Sequence, residues 1–70
     1  MTNGVALKQA IKDSGISIVF IANKLKCSRN RVYSIIGGAD CTASEISELT
    51  QLLHLTKQQR DYIFLSNSVN

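Results

Sequence analysis

The stretch Ser17-Ile18-Val19-Phe20-Ile21-Ala22-Asn23-Lys24-Leu25-Lys26-Cys27-Ser28-Arg29-Asn30-Arg31-Val32-Tyr33-Ser34-Ile35-Ile36-Gly37-Gly38 decides the fold. Ile18, Ile21, Ala22 and Leu25 recur with helical spacing and form one apolar stripe. Val32, Ile35 and Ile36 form a second. Each half carries its own start signal. Ser17 is an N-cap, with Ile16 and Ile21 at the two positions of a hydrophobic staple. Ser28 is another, with Cys27 and Val32 in the same roles. Only Leu25-Lys26-Cys27 separates the two helices, and a turn this short holds them at roughly 90–120°. Gly37-Gly38 ends the second.

The same signals extend in both directions. Upstream, Leu7, Ala10 and Ile11 share a face of a helix expected from about Gly4 to Asp13, and Gly15 stands where a left-handed stop belongs. Downstream, Thr42-Ala43-Ser44-Glu45 is a capping box with Cys41 and Ile46 as its staple. Ile46, Leu49, Leu52 and Leu53 follow with helical spacing, and Val32, Ile35, Leu49 and Leu52 are expected to share one core. A second capping box, Thr56 to Gln59, opens a last helix reaching about Leu65, and the polar tail from Ser66 to Asn70 is expected to fray. No segment alternates with period two, so no sheet is expected. The reading is all-α: a compact bundle of five helices, one domain over residues 1–70 with its core at about 5–65.

Composition narrows the function. Seventy residues allow a single small core. The longest apolar run, Ile18 to Ala22, is far short of the ~20 residues that span a bilayer, and the N-terminal residues lack a signal-peptide pattern. A cytoplasmic location without membrane contact is expected. Cys27 and Cys41 both sit at staple positions and read as reduced packing residues, not ligands. His54, the one histidine, ends the fourth helix with no sequence-near partner for a catalytic dyad. No nucleotide loop or metal spacing is present. The reading is therefore not an enzyme, with no cofactor and no metal.

Charge is distributed unevenly. The net charge is +3, but through residue 39 six basic residues face Asp13 alone, and thereafter Lys57 and Arg60 face four acids. Lys24, Lys26, Arg29 and Arg31 fall within eight positions, and no acid lies between Ser14 and Ala39. Such a patch is either a solvated face or a footprint for nucleic acid. Arg29 and Arg31 open the third helix, where each cation costs ~0.3–1 kcal/mol against the macrodipole. With no compensation expected inside the chain, an anionic partner would supply it, since phosphates bind well at helix N-termini beside arginine.

From Gly15 to Gly38 the chain resembles the helix-turn-helix of the phage repressor and Cro family, the Xre-like regulators. Ala22 matches the small residue where the two helices cross, and Val32 and Ile35 match the pair that docks the second helix. Thr42 to Leu53 looks like the family's fourth helix. Leu55-Thr56 with Tyr62-Ile63-Phe64 looks like its fifth. The resemblance implies a lambda-repressor-like domain and a sequence-specific transcriptional regulator that binds a palindromic operator in double-stranded DNA as a homodimer. It places base-reading positions on Ser28, Arg29, Asn30, Tyr33 and Ser34. Arg29 suits guanine and Asn30 suits adenine. It places backbone-phosphate positions on Ser17 and Ser28, and extends them to Lys24, Lys26 and Arg31. Tyr33 has packing on the helix flank as its alternative role.

Three residues depart from the family's pattern. Lys26 stands where glycine is usual in the turn. A non-glycine left-handed residue costs ~1–2 kcal/mol, so the turn is expected to differ slightly. Asp40 occupies a loop where relatives often place basic residues. Val19 and Phe20 replace usually polar positions and point away from the apolar stripe. They are either a partner-binding site or ordinary surface apolar groups. Together with the mild net charge they carry a second reading: a small interaction module, such as an antirepressor, that forms a complex with another repressor protein.

Overall fold

The computed structural model describes residues 2–65. Within them the chain forms five helices and no strand: α1 (Gly4–Ser14), α2 (Ile18–Leu25), α3 (Arg29–Ile36), α4 (Ala43–Leu52) and α5 (Lys57–Phe64). The expected tail, 66–70, lies outside the described residues. No described helix is long and apolar enough to cross a membrane.

Each helix starts on the side chain its sequence offers. Ser17 Oγ accepts from Phe20 N at 3.1 Å and Ser28 Oγ from Arg31 N at 3.2 Å. Thr42 with Glu45 and Thr56 with Gln59 both close complete capping boxes. Asn3 caps α1 by accepting from Ala6 N at 3.2 Å. The stops are equally local. Gly15 is left-handed at φ 73, and so are two residues that are not glycine, Lys26 at φ 57 and His54 at φ 53. The cost at Lys26 is offset because two orphan carbonyls of α2 are satisfied there: Lys26 N donates to Asn23 O and Cys27 N to Ala22 O at 3.0 Å. The lysine thus makes the left-handed stop itself. His54 stands just past α4, where Leu55 N donates back to Thr50 O at 3.0 Å.

One core joins all five helices: Leu7 and Ile11 of α1, Ile21 and Ala22 of α2, Val32 and Ile35 of α3, Leu49 of α4 with Leu53 at its cap, and Ile63 and Phe64 of α5. The staple residues Ile16, Cys27, Cys41 and Ile46 pack against it, half-buried, and both cysteines are free thiols. The expectation for Leu52 is corrected. It is only half-buried and outside this cluster, and Leu53 takes its place. One step along a helix is ~100° of rotation, so of two adjacent leucines only one follows Ile46 and Leu49 inward.

Residues before α1 also belong to the fold. Thr2 is buried. Its N–H donates to Gly38 O at 3.3 Å and its hydroxyl to Ala39 O at 2.7 Å, while Asn3 N donates to Ile63 O at 2.6 Å. The start of the chain therefore ties the loop after α3 to α5. α3 itself packs on α1 and α2, and α4 packs on α2 and α5.

Candidate nucleic-acid interface

Val32 and Ile35 turn one side of α3 into the core, and helical geometry sends the opposite side to solvent. Arg29, Asn30, Tyr33 and Ser34 occupy that outer side, all exposed. Tyr33 keeps 57% of its surface exposed. The N-terminus of α3 has no acid in its first turn. Arg29 makes no hydrogen bond or ion pair among the described residues, and its unfavourable placement on the macrodipole stands.

The other expected residues surround this face in sequence. Ser17 and Ser28 are exposed at the starts of α2 and α3. Their oxygens accept capping bonds, which leaves each O–H as a donor. Lys26 is exposed in the turn. Lys24, also exposed, holds its Nζ 5.4 Å from the centroid of the Phe20 ring, one helical turn earlier, in cation–π contact. Val19 and Phe20 are exposed by 51% and 43%, as their phase on α2 requires.

Arg31 is different, and the expectation that nothing inside the chain compensates it is corrected. Its charge is compensated inside the chain. Nε donates to Glu45 Oε2 at 2.9 Å and Nη2 to Glu45 Oε1 at 2.8 Å. Nη2 also donates to the Asp40 carbonyl at 2.8 Å. The same Glu45 Oε1 accepts from Thr42 N at 2.9 Å, closing its capping box. Glu45 is thus not a solvated surface acid: its side chain is only 15% exposed. The partners lie fourteen positions apart on helices whose backbones are not neighbours, so no local pattern announces the pair. The one available sign was that Glu45 opens α4 as Arg31 opens α3, each at the third position.

The pair shifts the carboxyl. Two hydrogen bonds from Arg31 bring the Glu45 pKa down to about 2; burial opposes this, and the Thr42 N–H and the guanidinium charge assist it. A folded-state value below the unfolded one contributes stability that is complete above the unfolded value, near 4.5, and lost as pH falls toward 2. Glu45→Gln can still close the capping box, so the cap is held constant while the pair with Arg31 loses its charge and the acceptor for Nε. At neutral pH it should lower the melting temperature by several degrees. The gap from wild type should narrow as pH drops from about 4.5 to about 2. A gap independent of pH would show that the carboxylate charge is not what stabilises.

No family model, no curated protein and no solved structure matches this chain. Its surface chemistry is therefore read from its own residues. Among those described, no group of three or more His, Cys, Asp or Glu is placed to hold a metal ion. A surface groove of about 410 Å³ between α1 and α5, lined by Val5, Ala10, Leu55 and Tyr62, has Asp13 as its one carboxylate and no cation beside it. The outer side of α3 brings cationic, amide, phenolic and hydroxyl groups to one accessible face.

Proposed function

We propose that this protein is a sequence-specific DNA-binding transcriptional regulator of the phage or prophage repressor and Cro type, with a lambda-repressor-like helix-turn-helix made by α2, the turn at Lys26 and α3. It binds a palindromic operator as a homodimer, and α3 enters the major groove. The observation that carries this reading is the exposed outer side of α3, where Arg29, unpaired among the described residues, stands with Asn30, Tyr33 and Ser34 at the positive end of the helix. An anion there offsets the macrodipole conflict, and an arginine beside an amide is a pair of side chains suited to guanine and adenine edges. Lys24, Lys26, Ser17 and Ser28 supply contacts to the phosphate backbone, which position the protein without reading sequence.

The exposed Val19 and Phe20 favour a second reading, the interaction module that binds another repressor. Titrations separate the two. Wild type is bound to a duplex it enriches from a randomised pool and to a scrambled duplex, at low and moderate salt. Arg29→Ala should lose ~1–3 kcal/mol on the enriched duplex and much less on the scrambled one. Lys26→Ala should weaken both alike and reduce the salt slope by ~1 phosphate equivalent. If wild type enriches no sequence and binds with little salt dependence, the DNA reading fails and the interaction module replaces it.

A further inference from the structure

We infer that Glu45 is a specificity-determining residue that never touches DNA: it withholds the Arg31 charge from the phosphate backbone and fixes the first turn of α3 in place. The inference rests on the DNA-binding reading of α3. Arg31 stands beside Arg29 and Asn30 in that first turn, so a free guanidinium there would meet any duplex lying against them. In the structure it is held by three hydrogen bonds through Nε and Nη2, two to Glu45 and one to the Asp40 carbonyl, with 34% of its side chain exposed. Its anchor is itself anchored, because Glu45 also accepts from Thr42 N and its own N–H donates to Thr42 Oγ1 at 3.1 Å. The backbones of α3 and α4 are not neighbours, and this side-chain strut adds a polar link between them to the shared core of Val32, Ile35 and Leu49.

Two consequences follow for recognition. A phosphate contact strengthens binding to every sequence equally, so removing one cation from the interface lowers non-specific affinity and leaves base reading intact. A first turn tied to α4 also presents Arg29 and Asn30 in one orientation, and base-edge contacts require that orientation where phosphate contacts tolerate error.

Glu45→Gln keeps the capping box and removes the carboxylate that neutralises Arg31. Binding is measured well below the melting temperature, on the enriched and scrambled duplexes, across a range of salt. The salt slope of Glu45→Gln should steepen by about 0.9, one added phosphate contact. Affinity for the scrambled duplex should rise, and preference for the enriched duplex should fall by roughly tenfold, the worth of one well-made base contact. Arg31→Gln serves as the second variant. It should leave the salt slope at its wild-type value, because that charge is not on phosphate, and should also lower the preference. A purely structural strut would lower the melting temperature of both variants and change neither slope nor preference. Unchanged slope and preference in Glu45→Gln, with wild type still selective, overturns this inference alone. A slope that drops by about 0.9 in Arg31→Gln overturns it too, by placing Arg31 on phosphate. Absence of selective, salt-dependent binding by wild type overturns the DNA reading and this inference with it.

Discussion

Leu49→Ala should destabilise the domain by about 2–5 kcal/mol, a large share of what so short a chain possesses. Leu49 keeps only 1% of its surface. It is the one core residue within α4, which packs on α2 and α5, so its side chain fills the space between helices that are otherwise fixed. Truncation removes the transfer free energy of the lost carbons and leaves a cavity that the neighbouring helices cannot fully close. In a domain of this size each kcal/mol moves the melting temperature by about 4–8 °C, so the variant should melt about 8–40 °C below wild type. Leu52→Ala is the comparison. That side chain is half-buried and outside the core, and its truncation should cost well under half as much. Equal losses at the two positions, or a Leu49→Ala protein melting near wild type, would contradict the assignment of the inward-facing leucine.

The second large effect reverses an ordinary rule. Glycine at a helical position is normally replaced by alanine to advantage, by about 0.5–1 kcal/mol, because the unfolded chain loses freedom. Gly4, the first residue of α1, is helical and needs no left-handed conformation. Yet a β-carbon there would overlap the carbonyl oxygen of Ile36 and stand 2.7 Å from its carbon. The obstacle is backbone at the end of α3, and it cannot rotate aside. Gly4→Ala must therefore push α1 off α3, with a cost of about 3 kcal/mol, the upper range for overpacking. Gly37→Ala is the control: its new carbon would meet nothing closer than 3.4 Å, and φ is an ordinary −77°. Denaturant melts of the two variants decide the matter. A Gly4→Ala protein as stable as wild type would mean that α1 and α3 do not approach so closely in solution.

What could be read from the sequence was what lies within one helical turn. Caps, capping boxes and staples join residues three to five positions apart, so Ser17, Ser28, Thr42 and Thr56 mark the helix starts independently of any tertiary contact. Helical periodicity placed Val32 and Ile35 inside and, by the same rotation, Arg29, Asn30, Tyr33 and Ser34 outside. It failed where rotation gives no margin. Leu52 and Leu53 are equally apolar neighbours, and Arg31 lies on the flank between the two sides of α3. Its pairing with Glu45, the burial of Thr2 against Ala39, and the approach of Gly4 to Ile36 depend on chain segments brought together by the whole fold. No short-range pattern encodes them.

The lysine at the turn has a mechanical consequence. A glycine at that point would leave a swivel, free on both sides of φ = 0. Lys26, at φ 57 and ψ 44, carries a β-carbon, and for such a residue the left-handed well is only about 20–30° wide in each angle. The joint between α2 and α3 thus has little play. Any tilt of the outer face of α3 toward a curved surface has to be made by the two helices moving as one stiff bracket against α1 and α4, rather than by bending at the elbow.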